Sequence, residues 1–277
     1  MAAIEVKTSD QLRRMRRAGL VVAEGLRAMQ ESAAPGMTTA ELDGVARGVL
    51  AEAGAASNFL GYGAEYGTPF SGVACISVNE ELVHGMPGSR VLAEGDVISV
   101  DFGAIIEGWH ADAARTFVLG EGRAEDQTLI EVTRGAMWAG VAATRAGGRV
   151  NDISRAIEEF VLAQPRRYGT LREYTGHGIG SEMHMAPDVL NYRTSHRGPK
   201  IRPGLCLAIE PMLVRGGIET KVLEDDWTVV TVDGSNASQW EHSVCLHSKG
   251  LWVLTAEDGG ASELEPLGVH PVPIAAS

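Results

Sequence analysis

The stretch 95–103 constrains this chain more than any other, because it places an aspartate inside an apolar strand. It reads Gly-Asp-Val-Ile-Ser-Val-Asp-Phe-Gly, and a β-branched run bounded by glycine is typical of a buried strand. Burying the carboxylate of Asp101 without a partner costs several kcal/mol or forces it to be protonated. The fold must therefore supply a group that compensates Asp101.

A second aspartate follows in the same predicted hairpin. If Glu107-Gly108 forms the turn, Asp101 pairs with Ala114, and Asp112 lies two residues from Ala114 on the same face. The two carboxylates then converge. A pair of aspartates on a solvated strand face is the simpler alternative, but their apolar neighbours argue against it.

Three later segments each set an ionisable residue among glycine or apolar neighbours: His177 in Gly-His-Gly-Ile-Gly, Glu210 in Ile-Glu-Pro-Met, and Glu241 in Trp-Glu-His-Ser. Taken alone, His177 could be an ordinary loop histidine and Glu210 a charge at the end of a strand. Together with the two aspartates they supply four carboxylates and one imidazole. Such a set suits hard or borderline divalent cations and can hold two of them through bridging carboxylates.

Capping boxes predict two helices near the start of the chain. Thr8 with Gln11 and Thr38 with Glu41 each begin one, apolar residues follow at a helical period, and the second helix ends near Gly54. Short β-branched runs then predict strands at 72–78, 96–106 and 113–119.

The same order returns in the second half of the chain. A long helical stretch covers 124–145, Asn151 is predicted to cap a shorter helix, and strand-like runs lie at 206–209, 228–232 and 243–246. Two successive helix–helix–strand halves predict one α+β domain with an internal pseudo-repeat over residues 1–255. Residues 256–277 are acidic, contain proline and lack Lys and Arg, so we expect a mobile C-terminal tail.

Charge and composition exclude several classes of protein. The net charge of −12 disfavours binding to duplex nucleic acid, and no apolar run approaches the roughly 18 to 20 residues that span a bilayer. Three cysteines cannot form a disulfide framework, and no signal peptide precedes the first helix, so the expected compartment is the cytoplasm. Four arginines make the first helix basic, for which a solvated face is a simpler explanation than an RNA contact: Arg13, Arg14, Arg16 and Arg17.

The order of the five ionisable residues, in the contexts VDFG, WHAD, GHGIG, IEPM and WEHS, resembles the metal site of the methionine aminopeptidases. The resemblance covers roughly residues 4–255 and includes Ile76-Ser-Val-Asn79 and Val83-His-Gly-Met-Pro87. It implies a single catalytic metallopeptidase domain over 1–255 with the pita-bread fold, in which two pseudo-twofold-related halves surround a curved antiparallel sheet. Only 26 positions separate His184 from Glu210, so the chain resembles the type I enzymes.

The resemblance also implies roles for individual residues. Asp101 would bind one divalent ion, His177 and Glu210 the other, and Asp112 and Glu241 both. The ions would be Co²⁺, Mn²⁺, Fe²⁺ or Zn²⁺, which this ligand set does not distinguish. Glu210 would also accept a proton from the attacking water.

Two further histidines and several apolar residues match family positions. His84 and His184 would contact the scissile amide and stabilise the tetrahedral intermediate, although His84 before a glycine could be only a turn residue. Met183 stands where an aromatic residue is common in the family, and the stretch 63–69 is longer than in the short, bacterial-style type I enzymes, so a different pocket shape is expected. The predicted pocket walls are Tyr62, Phe70, Cys75, Met183 and Trp227.

The expected activity is hydrolytic removal of the initiator methionine from nascent chains and peptides with a small second residue, a step of protein maturation. One alternative is an Xaa-Pro aminopeptidase or dipeptidase of the same fold, and another is a binding protein of that fold that has lost catalysis. The resemblance suggests a monomer. A weak ribosome contact through the arginine-rich first helix is a further hypothesis.

Overall fold

The structure is a computed structural model that describes residues 3–65 and 67–275; Tyr66 and both ends of the chain, including positions 276 and 277 of the predicted tail, lie outside the described residues. The helices are α1 (Ser9–Ser32), α2 (Thr39–Ala53), α3 (Ala124–Ala142), α4 (Val150–Leu162) and α5 (Ala261–Leu264), and α5 continues into a 3-10 turn at Glu265–Leu267. The strands in the first half of the chain are β1 (Ala56–Ser57), β2 (Ala74–Val78), β3 (Glu81–Val83), β4 (Val97–Ile106) and β5 (Trp109–Val118). The later strands are β6 (Gly169–Thr170), β7 (Gly176–Gly178), β8 (Met185–Val189), β9 (Leu205–Ile209), β10 (Met212–Val214), β11 (Thr220–Val222), β12 (Val229–Thr231), β13 (Ala237–Gln239), β14 (His242–His247) and β15 (Gly250–Val253).

Both predicted capping boxes form at the start of the first two helices. The hydroxyl of Thr8 accepts from the backbone N–H of Gln11 while the Gln11 side chain accepts from Thr8, and Thr38 and Glu41 repeat this exchange. Gly54 ends α2 in the left-handed conformation, as its position predicted. The two helices pack their apolar faces on β2, β4 and β5 and form the core of the first half.

The second half repeats this arrangement around a separate core. Helices α3 and α4 pack on the sheet β15-β14-β9-β7-β8, whose strands are all antiparallel to their neighbours. In the first half, β4 pairs with β1 and β2 along one edge and with β5 along the other. The mixed helix and antiparallel sheet architecture is the predicted α+β pita-bread fold.

The two halves meet through β5 and the residue that precedes β14. The backbone N–H of Glu241 donates to the carbonyl of Ala114 at 2.9 Å, and the N–H of Ala114 donates back to Glu241. Next to this pair, the Ser243 hydroxyl accepts from the Asp112 N–H at 3.0 Å and donates to the Asp112 carbonyl at 2.7 Å. The contact brings the carboxylates of one half beside those of the other.

Helix α4 begins differently from the prediction. Asn151 is not its cap: the helix starts after Arg149, whose backbone N–H donates to the Asp152 carboxylate at 2.8 Å. The Asn151 side chain instead bonds the backbone of Thr194 in a distant loop. The Asn151 side chain therefore forms a tertiary contact and does not cap the helix, as the local sequence had predicted it would.

The expected mobile tail is wrong for residues 256–275, which pack on the domain. Leu264 is fully buried in the core of the second half, and the Val272 N–H donates to the Leu251 carbonyl of β15 at 2.8 Å. The Val272 carbonyl also accepts from His247 Nε2 at 2.7 Å. A few anchored positions therefore hold a segment whose composition is that of a loop.

The basic face of α1 is mostly paired within the protein. Arg14 and Arg17 contact Glu107 at the tip of the β4–β5 hairpin. Arg16 donates to the carbonyls of residues 253, 254, 256 and 257, and so connects α1 to the start of the tail. The expectation of a simple solvated face is wrong for Arg16, because its guanidinium donates to carbonyls at the end of β15 and in the residues that follow it.

No helix within the described ranges 3–65 and 67–275 is long and apolar enough to cross a membrane.

Candidate metal centre and catalytic pocket

The predicted hairpin places the two aspartates as the sequence indicated. Glu107 and Gly108 form the turn with positive φ, and Asp101 pairs with Ala114 across the strands. Because side chains alternate along a strand, Asp112 lies on the same face as Asp101. Both carboxyl groups are buried.

The other three predicted ligands come to this face from the second half. His177 pairs with Ala208, two residues before Glu210, and Glu241 directly precedes β14, which pairs with β9. His177 Nε2 lies 3.4 Å from Glu210 Oε1, while His177 Nδ1 lies 3.0 Å from the Gly178 carbonyl. The backbone contact leaves Nε2 to face the carboxylates, which is how a histidine ligand is held.

These residues form two groups in which one ligand atom per residue lies within 4.8 Å of the others. One group is Asp101, Asp112 and Glu241, and the second is His177, Glu210 and Glu241. Glu241 belongs to both groups, as a bridging ligand would, whereas Asp112 belongs only to the first. All five residues are buried.

The protonation behaviour of the cluster follows from its burial. Burial raises the pKa of Asp101 to about 7, against hydrogen bonds that lower it. Burial, followed by repulsion from the neighbouring carboxylates, raises the pKa values of Asp112, Glu210 and Glu241 well above their usual range. Burial also lowers the pKa of His177 to about 3, so that its imidazole is neutral.

Several oxygens of the cluster have no hydrogen-bond donor. Asp101 Oδ1, Asp112 Oδ1 and Glu241 Oε1 are buried and unpartnered among the described residues. Buried carboxylates normally find partners, so unpartnered oxygens in one cluster fit a centre built for cations. Oxygen ligands with one imidazole accept Mn²⁺, Fe²⁺, Co²⁺ or Zn²⁺.

A cavity of about 280 Å³ opens onto the cluster. All five predicted ligands line it, and so do His84, His184 and the five predicted pocket walls. Phe59, Phe70, Cys75 and Met183 form a buried apolar group against which Trp227 packs. Cys75 lines the cavity within this apolar group, and burial and the nearby carboxylates raise the pKa of its thiol well above the usual range, which favours the protonated thiol.

The two non-ligand histidines lie at the same cavity. His84 has a left-handed backbone (φ 58°), and Gly85 behind it is so close to β2 that a Cβ would lie 2.3 Å from the Ile76 carbonyl oxygen. The His184 ring lies 4.3 Å from that of His177, centroid to centroid. Burial lowers the pKa of His84 to about 4 and also lowers the pKa of His184, so both imidazoles are neutral.

Some residues at the site were not predicted. Phe59, Tyr174 and Met212 also line the cavity, and the Tyr174 ring packs edge-on at 5.5 Å from His84. Gln239 was missed as well, although its side-chain amide lies 3.4 Å from Asp101 Oδ2 and 3.5 Å from Glu210 Oε2. Its position two residues before Glu241 in an extended segment was the available signal, because such residues share a face.

The family profile described as "Metallopeptidase family M24" matches residues 13–247. "Methionine aminopeptidase 1" of Mycobacterium tuberculosis is 45% identical over 254 residues, which cover 90% of this chain and 94% of that protein. "Methionine aminopeptidase" of Clostridium acetobutylicum is 46% identical and covers 91% and 98%.

Solved structures give the same result. The crystal structure of methionine aminopeptidase from Thermotoga maritima superposes with a TM-score of 0.87 at 36% identity, over 92% of this chain and all of that one. Prolidase from Pyrococcus furiosus shares the fold, with a TM-score of 0.71 at 18% identity, and this chain covers 65% of it. The chain therefore belongs to metallopeptidase family M24 and, within it, to the type I methionine aminopeptidases.

Proposed function

We propose that this protein hydrolyses the peptide bond after an N-terminal methionine, in peptides and nascent chains whose second residue is small. The observation that carries the proposal is the cluster of buried carboxylates, three of which have an unpartnered oxygen, at a cavity of about 280 Å³ that also has apolar walls. The names of the relatives, which match this chain over most of its length, support the substrate.

The proposed cofactors are two divalent cations, Co²⁺, Mn²⁺, Fe²⁺ or Zn²⁺. Asp101 would hold one ion, His177 and Glu210 the other, and Asp112 and Glu241 would bridge them. Three unpartnered carboxylate oxygens support this assignment, and so does His177 Nε2, which lies 3.4 Å from Glu210 Oε1. Such cations supply two effects when bound: they lower the pKa of a shared water and polarise the scissile carbonyl.

Glu210 is the proposed proton acceptor. Its carboxylate is buried beside His177, and its pKa is raised by burial and by the charges of Asp101 and Asp112. A carboxylate made more basic in this way can take a proton from the attacking water and give it to the leaving amine. The proton then travels from water to Glu210 and from Glu210 to the new N-terminus of the product.

His84 and His184 are the proposed donors to the scissile amide. Both line the cavity and both are neutral, so each can donate one hydrogen bond without carrying a charge. Donors that already point at the developing oxyanion stabilise it more than water does, because they need not reorganise.

The cavity fits one apolar side chain beside an amine site. Phe59, Phe70, Met183 and Trp227 give it aromatic and thioether walls, which suit the flexible thioether of methionine. The carboxylates at its end would attract the free α-amine and so require an unblocked N-terminus.

The cellular setting is also proposed. We expect a cytoplasmic monomer that acts on nascent chains. A ribosome contact through α1 remains a prediction; on this helix Arg14 and Arg17 already contact Glu107, and Arg16 donates to backbone carbonyls of the protein itself.

A peptide panel tests the activity and its main alternative. Purified protein with added Co²⁺ or Mn²⁺ should release methionine from Met-Ala-Ser, leave Met-Lys-Ser intact, and leave an Ala-Pro peptide intact. Cleavage of the Ala-Pro peptide alone would indicate an Xaa-Pro peptidase of the same fold. No cleavage of any peptide, with less than one equivalent of metal bound after reconstitution, would indicate a binding protein.

A further inference from the structure

Tyr62 and His184 are joined by a hydrogen bond at the mouth of the cavity. The Tyr62 hydroxyl oxygen lies 2.8 Å from His184 Nδ1, and the two rings meet at 60° with centroids 5.4 Å apart. A neutral imidazole carries a single ring proton, on Nδ1 or on Nε2, and the group that meets one nitrogen selects between the two forms. The hydrogen-bond partner of Nδ1 therefore determines whether Nε2 donates or accepts a hydrogen bond.

We propose that Tyr62 is a positioning residue that fixes the tautomer of His184, so that Nε2 carries the proton and faces the substrate as a donor. The inference rests on the proposed function, because it concerns how His184 reaches the scissile amide. The phenol is the better acid of the pair and the imidazole nitrogen the better base. The Tyr62 O–H therefore donates to Nδ1, and the ring proton stays on Nε2.

The segment that carries Tyr62 is anchored on both sides. The Gly61 N–H donates to the Phe70 carbonyl at 2.8 Å, and the Phe70 N–H donates to the Tyr62 carbonyl at 2.9 Å. The next residue, Gly63, has a positive φ, and a Cβ there would lie 2.7 Å from the Trp227 ring. Only glycine lets the chain turn so close to Trp227 directly after Tyr62.

A second connection ties the far end of this loop to the turn after β11. Trp227 Nε1 donates to the Thr68 carbonyl at 2.8 Å, and the Thr68 hydroxyl donates to Asp226 at 2.7 Å. The loop is thus held at both ends against Trp227, and the phenol of Tyr62 is presented to His184 by a fixed backbone.

The role differs from that of an apolar wall in what the hydroxyl does. A wall needs only the aromatic ring, which phenylalanine keeps. A positioning residue needs the O–H, without which Nδ1 can take the ring proton and Nε2 then becomes an acceptor that repels the developing oxyanion. Tyr62→Phe therefore separates the two roles.

The first measurement reads the tautomer directly and does not require activity. ¹⁵N NMR of protein with labelled histidine, metal-free and loaded with Zn²⁺, should show His184 with protonated Nε2 and unprotonated Nδ1, assigned by its loss in His184→Asn. In Tyr62→Phe the same signals should move toward a mixture of tautomers. A wild-type His184 protonated on Nδ1, or a tautomer unchanged in Tyr62→Phe, would overturn the proposal.

The second measurement separates kcat from KM. With Met-Ala-Ser as substrate, Tyr62→Phe should lower kcat roughly 3- to 10-fold, the loss of one hydrogen bond in the transition state, and change KM less than about twofold. Leu60→Ala, in the same loop and exposed, is the matched control and should keep the wild-type kcat. A wild-type kcat in Tyr62→Phe would show that Tyr62 acts only as a wall of the pocket. If the wild-type protein does not cleave the peptide at all, the proposed function fails while the NMR result still decides the tautomer.

Discussion

The amide of Gln239 donates to Asp101 Oδ2 at 3.4 Å, at the point where the two halves of the site meet. The same nitrogen lies 3.5 Å from Glu210 Oε2. The Thr116 hydroxyl holds the Gln239 backbone, because it accepts from the Gln239 N–H at 3.0 Å and donates to the Gln239 carbonyl at 2.7 Å. One neutral donor thus orients a carboxylate from each half of the fold.

Gln239→Leu should weaken the binding of Mn²⁺ roughly 10- to 100-fold, as is common when an outer residue that orients ligands is lost. Leucine keeps most of the volume but leaves both carboxylates without this donor. Calorimetric titration of metal-free protein gives the Kd. Gln30→Leu is the matched control, because Gln30 is exposed and its side-chain oxygen accepts a hydrogen bond from Arg115, which is not a predicted metal ligand. This variant should bind Mn²⁺ like the wild type. Equal affinities in the two variants would remove this role from Gln239.

Metal binding should release protons, and more of them at pH 6 than at pH 8.5. Burial raises the pKa of Asp101 to about 7, so in metal-free protein this carboxyl is mostly protonated at pH 6 and mostly ionised at pH 8.5. A ligand must be ionised to bind, so the proton leaves when the cation enters. Titration of Mn²⁺ in buffers of different ionisation enthalpy measures the number released. An observed enthalpy that does not depend on the buffer at pH 6 would contradict the raised pKa.

His242 should make the protein less stable as the pH falls below about 6.5. Burial, followed by the charges of Arg115 and Arg134, lowers the pKa of this histidine to about 3. Between these values the unfolded chain binds a proton that the folded protein excludes, so acidification favours unfolding. In urea unfolding between pH 7 and pH 5, the midpoint of His242→Gln should fall less than that of the wild type. Parallel pH dependences of the two proteins would show that His242 contributes nothing.

Two helical glycines should respond in opposite directions to the same substitution. On α2, a Cβ at Gly48 would meet nothing within 4 Å, so Gly48→Ala should stabilise the fold by about 0.5 to 1 kcal/mol through helix propensity. On α1, a Cβ at Gly19 would lie 2.2 Å from the Leu254 carbonyl oxygen, so Gly19→Ala should destabilise by about 1 to 3 kcal/mol. Urea unfolding gives both values. Stabilisation by both variants would mean that α1 does not pack as closely on Leu254 as described.

The local features of the fold could be predicted from the sequence because they depend on short spacings. A two-residue turn and the alternation of strand side chains were enough to pair Asp101 with Ala114, and the structure has this register. Capping boxes likewise located the starts of α1 and α2. Strand ends were less accurate: β5 begins at Trp109, four residues before the predicted start, because pairing with β4 continues to the turn.

Features that depend on distant contacts could not be predicted in the same way. The reciprocal backbone hydrogen bonds of Ala114 and Glu241 join positions far apart in the chain, and no local sequence pattern predicts them. The local sequence predicted Asn151 as a helix cap, but its side-chain amide donates to the Thr194 carbonyl instead. The tail is held by buried Leu264, by backbone pairing with β15 and by the side chains of Arg16 and His247, and composition reveals none of these contacts.

The residues of the site divide in the same way, into those that local sequence identifies and those that only distant contacts identify. The five ionisable residues were identified because each stands out among glycine and apolar neighbours, and the family resemblance gave them an order. Gln239 is an uncharged residue whose one sequence signal is its spacing of two from Glu241, and the distances to Asp101 and Glu210 are what identify its role. Tyr62 was expected as a pocket wall, and its bond to His184 depends on a loop whose path the sequence does not specify.

Asp112→Asn tests the central claim most directly, because it removes one charge from the cluster without changing its size. Asp112 is buried, its Oδ1 is unpartnered, and it belongs to the group with Asp101 and Glu241. Release of methionine from Met-Ala-Ser should be measured for wild type and variant with saturating Mn²⁺, together with the equivalents of metal bound and the circular dichroism of both proteins. We expect the folded variant to bind less metal and to cleave at least 100-fold more slowly. A folded Asp112→Asn protein that cleaves at the wild-type rate would contradict the assignment of this cluster as the catalytic centre.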